Sequence, residues 1–169
     1  RLMRRSEIRH LMMCDAVLTS LRSQEASSLI EFPLVRRILQ FVAANSDDPV
    51  HRRLLTLVSA INCGFSHRNA VSILHWVDPS WRPDDECFPQ LDGTILDDVN
   101  WPGIDLSDTR LSSCSMTFAN LCSARLDRAV AQTVNFQGTI FHDAVLLNAD
   151  LSQSNLTACD FRRVAAPRA

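Results

Sequence analysis

The sequence predicts an α plus β-solenoid protein, in which a small helical domain is followed by a coil that turns a corner every five residues. In the first half of the chain, apolar residues recur with the 3.6-residue period of a helix. In the second half they recur every five residues, a spacing that fits neither a helix nor a flat strand. A segment rich in proline and acidic residues separates the halves. We therefore predict domains over 1–77 and 91–164, a connector over 78–90 and a tail over 165–169.

The helical domain is predicted from apolar stripes and from residues that favour helix ends. Pro33 suits the first turn of one helix, Asp47 or Asp48 the start of the next, and Ser66 the cap of a third. An earlier stripe is interrupted by Asp15. Short connections between the stripes predict antiparallel neighbours in a small bundle. The stripes are Ile8, Leu11, Met12, Leu18 and Leu21; Leu34, Val35, Ile38, Leu39 and Val42; Leu54, Leu55, Val58 and Ile61; and Ala70, Ile73, Leu74 and Val77.

The five-residue repeat begins at Leu91. Every fifth residue from there to Phe161 is apolar, and only Ala131 among them is small. The residue two positions before each of these is uncharged and, apart from Ile104, small or compact. We therefore predict that these two columns point inward and that the other three positions of each unit face solvent. The predicted interior consists of Leu96, Trp101, Leu106, Leu111, Met116, Leu121, Leu126, Phe136, Phe141, Leu146, Leu151, Leu156 and Phe161.

Several units match the pattern A(D/N)LXX, and over roughly residues 90–164 the sequence resembles the pentapeptide repeat family. The resemblance implies a right-handed quadrilateral β-helix with one pentapeptide per face and four faces per coil. Residues 91–164 would then make just under four coils, and residues 20 apart would stack. The closest matches are Ala119-Asn120-Leu121, Ala149-Asp150-Leu151, Ser154-Asn155-Leu156 and Cys159-Asp160-Phe161. The usual Asp or Asn is replaced by Arg110, Arg125, Val130, Ile140 and Val145.

Composition limits the classes of function. The 169 residues are 46% hydrophobic and 21% charged, which supports a folded core, and a net charge of −2 argues against a general nucleic-acid binder. The sequence has neither an apolar run of membrane-spanning length nor a signal-peptide core, so we predict a cytoplasmic protein or an effector secreted into a host cell. All 17 basic residues are Arg. A GC-rich coding bias and selection against ubiquitin acceptors would each account for the absence of Lys.

The sequence carries no motif for catalysis or for a cofactor. It lacks GxSxG, HExxH and a phosphate loop, and His142 is the only histidine of the repeat. We therefore predict a protein that is not an enzyme and needs no cofactor. The six cysteines lack close pairing and predict reduced thiols. The helical spacing of His10 with Cys14, and of Cys63 with His67, leaves a zinc-organised helical domain as an alternative.

Solenoids of this kind usually present a rigid surface to a protein partner. We predict a non-catalytic interaction module or scaffold, part of a bacterial effector or of a larger multidomain protein, that binds neither membrane nor nucleic acid directly. One candidate site is the coil edge after Phe161, where a second copy would pair to form a homodimer, as members of the resembled family often do. The other is the set of outward apolar residues, unless the helices fold over them. These are Phe118, Val130, Ile140, Val145 and Leu147.

The alternative function is that of a DNA mimic that binds type II topoisomerases, as some members of the resembled family do. Between Leu91 and Val164 there are nine Asp and five Arg, a net charge of −4. DNA carries one charge every ~1.7 Å, so a short prism with this charge imitates it poorly. The sequence therefore favours the interaction module.

Overall fold

The computed structural model describes residues 5–23, 34–59, 65–83 and 91–167. The chain divides into two compact units, Arg1–Trp81 and Arg82–Ala169. The predicted connector 78–90 spans this division, and its residues 84–90 lie outside the described residues. Among the described residues, no helix is both long enough and apolar enough to cross a membrane.

In the first unit the described residues form four helices: α1 (Arg5–Arg22), α2 (Arg36–Ala44), α3 (Asp48–Ser59) and α4 (Phe65–Val77). Helix α4 contacts α2 and α3, and α1 contacts the same two helices. Most of α4 is buried, including its polar residues His67, Asn69 and Ser72. The side-chain oxygen of Asn69 accepts a hydrogen bond from the Leu34 amide at 3.2 Å, which ties the segment before α2 to α4. The unit is therefore a small bundle, as the short connections predict.

The helix ends agree only in part with the sequence analysis. Asp47 begins α3 as predicted, because its Oδ1 accepts the amide of Val50 at 3.2 Å. This bond is the main reason that the pKa of Asp47 lies below its ordinary value. The predicted cap at Ser66 is wrong, since α4 already begins at Phe65. Helix α2 begins at Arg36, and Pro33, which is predicted for a first turn, lies outside the described residues.

The buried faces also differ in detail from the predicted stripes. On α1, Met12 is 68% exposed, and Asp15 lies on the exposed face rather than interrupting the buried one. Val35 and Leu55 are exposed as well, because each lies at the edge of its stripe. Ile61, Cys63 and Gly64 lie outside the described residues. The buried face of α1 consists of Cys14, Val17, Leu18 and Leu21, which follow the i, i+3, i+4, i+7 spacing.

We predict that acid destabilises the helical unit through His67. Burial lowers the pKa of this imidazole below its ordinary value of 6.5, Arg68 acts in the same direction, and the carbonyls of Leu57 and Val58 oppose them. The unfolded chain therefore binds more protons, and the stability due to neutral His67 is lost as the pH falls below 6.5. Thermal melts of the helical signal between pH 8 and 5 should show this loss. His67→Gln should reduce the pH dependence, and an unchanged slope would contradict the assignment.

The second unit is a solenoid in which residues 20 apart stack. Every bridge among its described residues is parallel and joins residue i to residue i+20, as between Ser115 and Asn135. The bridges fall into four columns, one residue wide. Extended strands are absent from the part of the chain that the structure describes. The sides of each coil are therefore too short for conventional strands, and pairing occurs at the residue that precedes each central apolar residue.

The central apolar residues fill the interior of the coils. From Leu91 to Leu146 each of them is at most 3% exposed, and the small residues of the second column are buried beside them. Phe136 and Phe141 meet edge to face with their ring centroids 5.1 Å apart. The last three predicted interior residues differ. Leu151 and Leu156 are only half-buried and Phe161 is 38% exposed, because no later coil among the described residues covers them.

Each unit ends in a β-turn with a left-handed residue. The carbonyl of the central residue accepts the amide three residues later, as Leu106 does from Thr109 at 3.3 Å. The residue two positions after the centre has φ between 56° and 72° in all fifteen units. Positive φ at only the second of the two inner turn residues is the signature of a type II turn. Three of these positions are Gly93, Gly103 and Gly138. At the other positions the left-handed conformation is unfavourable for the residue, and the hydrogen bonds between coils maintain it.

Four of the five backbone amides in a unit are satisfied by other backbone groups. For the unit around Met116, the Met116 and Phe118 amides donate to the next coil, to Asn135 and Gln137, at 2.9 Å each. The Ser115 amide donates to the coil before it, and the amide three residues after the centre closes the turn. The fifth amide belongs to the residue directly after the central one. It has no backbone acceptor, so only a side chain can pair with it.

An Asp or Asn directly before the central residue supplies that acceptor in six units. Asn120 Oδ1, for example, accepts the Cys122 amide at 3.1 Å. The same Asx contact is made by Asp105, Asn135, Asp150, Asn155 and Asp160. This contact explains why the family pattern has Asp or Asn at this position.

In three units that lack this Asx residue, an Asp in the preceding coil replaces the missing acceptor. In the units of Arg125, Val130 and Ile140 the corresponding amide has no hydrogen-bond acceptor among the described residues. The unit around Leu146 has Val145 at the position where other units have Asp or Asn, and Asp127 Oδ1 accepts the Leu147 amide at 3.2 Å instead. Asp92 does the same for the Ser112 amide at 2.7 Å, and Asp97 for the Thr117 amide at 2.9 Å. In each case the replacement lies 20 residues before the amide. Three departures from the repeat are thus compensated one coil away.

We predict that Asp127→Ala destabilises the repeat by about 1–3 kcal/mol, because it leaves the Leu147 amide unsatisfied. Val145→Asp restores an acceptor within the unit itself. The double variant Asp127→Ala/Val145→Asp should therefore recover most of the loss, while Val145→Asp alone should be close to neutral. Denaturant unfolding of the four proteins measures the coupling. Additive effects of the two substitutions would contradict the shared role.

Candidate interaction surfaces of the repeat

The interior of the solenoid offers no site, because its side chains fill it from Leu91 to Leu146. A concavity of about 580 Å³ opens instead at the last coil, where Leu146, Leu151, Leu156 and Phe161 form an apolar floor. Phe161 stacks on Phe141 with its ring centroid 5.2 Å away and its other side exposed. We call Leu151, Leu156 and Phe161 the terminal edge.

The terminal edge also carries unpaired backbone groups. In earlier coils the amides of the central residue and of the residue two positions later donate to the following coil. In the last coil the equivalent amides have no hydrogen-bond acceptor among the described residues. They belong to Leu151, Gln153, Leu156, Ala158, Phe161 and Arg163. Exposed apolar side chains and unpaired amides together make this edge competent to pair with another chain.

Most charged residues lie on the sides of the coil that contain the bridges of Arg125 and Val130, whereas Asp92, Asp97 and Asp98 lie on the other sides in the first coil. All five Arg residues between 91 and 164 form ion pairs with Asp. Arg163 Nε lies 2.7 Å from Asp143 Oδ1, and Arg128 pairs with Asp108. The hydrogen bond from Arg162 lowers the pKa of Asp160 to about 2. The remaining pairs are Arg110 with Asp92, and Arg125 with Asp105 and Asp127.

The opposite side carries no charge over three stacked segments, 112–123, 131–141 and 151–159, which we call the uncharged side. Its outward residues are mostly Ser, Thr, Asn and Gln. Some of them form ladders along the solenoid: Asn155 Nδ2 donates to Asn135 Oδ1 at 3.0 Å, and the hydroxyls of Ser113 and Thr133 lie 3.0 Å apart. The surface is thus an ordered array of hydroxyl and amide groups.

One exposed aromatic residue, Phe118, lies on the uncharged side. Its side chain is 63% exposed and it occupies a left-handed turn position with φ of 56°. The ring covers the Cα of Gly138 in the next coil, where a Cβ atom would lie 2.5 Å from Phe118 Cδ1. The ring of Phe118 can therefore pack against the backbone because residue 138 has no side chain.

The five outward apolar residues predicted as an interaction site do not form one patch. Val130, Ile140 and Val145 lie in three different bridge columns, and Phe118 lies at a corner between two columns. Phe118, Val130 and Ile140 are exposed, whereas Val145 and Leu147 are partly buried. Sequence analysis did not find the uncharged side. It could have been found by aligning segments that lie 20 residues apart, because three successive segments lack charged residues.

Thiols and histidines form no recognisable catalytic or metal centre among the described residues. Cys14, Cys114, Cys122 and Cys159 are free thiols, and burial raises the pKa of Cys114 to about 11. His142 Nε2 lies 3.1 Å from Asp143 Oδ2, at a surface corner. Within the described ranges no group of three His, Cys, Asp or Glu residues is placed to hold a metal ion. The alternative zinc site lies partly outside these ranges, because it includes Cys63.

The geometry defines the second unit as a solenoid of five-residue units with 20-residue coils. Residues 90–128 and 124–163 match the family described as pentapeptide repeats, in eight copies. This region of the chain is a pentapeptide repeat, as the sequence predicts, and the match implies a right-handed β-helix. The match does not extend to the helical unit. No curated protein matches the chain.

Several solved structures resemble the repeat. One is alr5209, a pentapeptide repeat protein from Nostoc PCC 7120, with 23% identity over 47% of this chain and 76% of that one and a TM-score of 0.27. HetL from Nostoc sp. strain PCC 7120, involved in heterocyst differentiation regulation, has 26% identity over 43% of this chain and 38% of its own, with a TM-score of 0.23. Rfr23 from Cyanothece 51142 has 22% identity over 47% and 60%, with a TM-score of 0.23. The chain thus spans less than two thirds of the latter two proteins.

We predict that Gly138→Ala costs about 1–3 kcal/mol, because it combines a left-handed backbone with a clash against Phe118. Gly103→Ala is the matched control. Its φ is +70°, close to the +72° of Gly138, but nothing lies within 4 Å of the added Cβ. The loss at position 138 should therefore exceed that at position 103. In a Phe118→Ala background, Gly138→Ala and Gly103→Ala should lower the free energy of unfolding by similar amounts in denaturant unfolding. A difference as large as in the wild type would contradict the packing of Phe118 on Gly138.

Proposed function

We propose that the chain is a non-catalytic protein-interaction module whose docking site is the terminal edge, and that a second copy occupies this edge. The observation that supports the proposal is the contrast between coils. The apolar ladder is sealed from Leu91 to Leu146 and then opens at Phe161, which is 38% exposed beside unpaired amides. Burial of such a surface favours association by roughly 25 cal/mol per Å² of apolar area.

The polarity of the backbone determines how two edges would meet. At the terminal edge each side of the coil presents two amide donors for one carbonyl acceptor. Two such edges related by a two-fold axis place donors against donors, so they cannot continue the ladder completely. The proposed dimer therefore depends on contact between apolar side chains, above all Phe161, whose ring is supported by the buried ring of Phe141.

The charge distribution argues against imitation of DNA. Six of the nine Asp residues of the repeat form ion pairs with its five Arg residues, so most of their negative charge is balanced locally. A topoisomerase that binds DNA would meet no continuous acidic stripe. The absence of Lys supports the narrower proposal that the module belongs to an effector in a host cell, since ubiquitin is joined to Lys.

Light scattering of the full chain tests the proposed dimer. We expect the wild type to have the mass of a dimer and Phe161→Glu that of a monomer, because the substitution places a charge in the apolar contact. Phe118→Glu is the matched control, since it changes an exposed Phe away from the edge and should leave the dimer intact. A monomeric wild type, or a dimer that Phe161→Glu does not affect, would contradict this docking site.

The double substitution Val145→Glu/Leu147→Glu separates the terminal edge from the other predicted surface. These residues flank Leu146 on the outside of the coil. If the edge forms the dimer, the double variant should remain dimeric and folded. Dissociation would instead assign self-association to the side of the coil, and unfolding would show that the two residues belong to the core.

A further inference from the structure

We propose that the uncharged side binds a neutral polysaccharide, with Phe118 as its stacking residue. This surface is separate from the terminal edge, so the proposal goes beyond protein association. The surface rises over three coils, which stack at a spacing of ~4.8 Å. Its rows of hydroxyl and amide groups therefore repeat along the solenoid, which suits a ligand that is itself a repeating polymer.

The absence of charge selects the class of ligand. The segments 112–123, 131–141 and 151–159 contain no Asp, Glu, Arg or Lys, and all five Arg residues of the repeat are held in ion pairs. The charged groups that border the surface in the first coil are carboxylates, since Asp97 accepts the amide and the hydroxyl of Thr117 and Asp98 lies 20 residues before Phe118. A nucleic acid or an acidic polysaccharide would require cationic groups that this surface lacks. Hydroxyl and amide side chains both donate and accept hydrogen bonds, as do the hydroxyls of a sugar.

The same composition disfavours a dry protein interface on this side. Phe118 and Ile140 are its exposed large apolar residues, at 63% and 41% exposure, and between them lie polar residues such as Asn120 and Gln137. A protein partner that excluded water would bury these polar groups without enough partners, at a cost for each group. A hydroxylated polymer, together with bridging water, satisfies them.

Phe118 supplies the apolar part of the site. Its ring is held against Gly138, so little conformational freedom is lost when a ligand covers it. The exposed face of the ring can pack against the C–H face of a pyranose, while Gln137 and Asn135 lie nearby in the next coil to bind hydroxyls. The arrangement of one aromatic ring beside an amide row is the observation on which the proposal rests.

Affinity electrophoresis of the full chain in native gels tests the proposal with hydroxyethylcellulose, soluble starch, dextran and glucomannan as probes. We expect at least one of these neutral polymers to retard the wild type. Phe118→Ala should weaken that retardation about tenfold, as expected for loss of one stacked ring. Carboxymethylcellulose, which has the backbone of the first probe with added charge, should retard the protein less than hydroxyethylcellulose does, if that polymer binds.

Matched variants locate the site. Gln137→Glu adds a charge to the uncharged side without changing its size and should weaken binding at least about fivefold, whereas Asn148→Asp makes the same change in charge at an exposed turn elsewhere and should not. Phe161→Ala at the terminal edge should leave binding intact, so failure here is distinct from failure of the proposed dimer.

No retardation by any neutral polymer, or equal retardation of wild type and Phe118→Ala, would overturn the proposal. A change of solution mass in Gln137→Glu would likewise overturn it, in favour of a protein contact.

Discussion

The structure of the repeat is shaped by one backbone amide of the unit, the amide that follows the central apolar residue, which has a side-chain acceptor in nine of the fifteen units. The other four amides of the unit are paired by the turn and by the neighbouring coils. The fifth can be paired only by a side chain, because no backbone carbonyl faces it. Asp or Asn directly before the central residue serves in six units, and Asp92, Asp97 and Asp127 serve from the coil before. Asp or Asn occurs at these positions because burial of an amide without an acceptor costs more free energy than most single contacts contribute.

This constraint explains which parts of the solenoid the sequence could predict. The size and polarity of an inward residue are visible in a single unit, so the apolar ladder from Leu96 to Leu146 can be predicted from the five-residue period. The exposure of Phe161 cannot, because it depends on whether another coil follows. Compensation of Val145 by Asp127 requires a comparison of residues 20 apart, which only the stacked geometry suggests. In the helical unit, periodicity predicted the bundle, but tertiary packing decided the exposed position of Met12.

The filled interior of the solenoid restricts function to its surfaces. The interior has no room for a substrate, and every turn position is fixed by a left-handed residue within a ladder. Such a frame holds outward side chains in fixed rows at low entropic cost, which favours recognition over chemistry. The open end and the sides of the coil then differ in kind. At the end the backbone itself is unpaired, whereas on the sides only the outward side chains vary.

The charge of the outward residues can therefore vary along the sides of the coil with little effect on the fold. The Arg–Asp pairs are largely exposed, and exposed pairs contribute only about 0–1 kcal/mol each. The uncharged side has the same coil-to-coil backbone bonds and the same buried ladder without any ion pair. The Arg side chains are therefore not required for stacking of the coils, whereas Asp92, Asp97 and Asp127 are acceptors for backbone amides. The stacked hydroxyl and amide side chains of the uncharged side, which no cation borders in the coil below, are then suited to a ligand without negative charge.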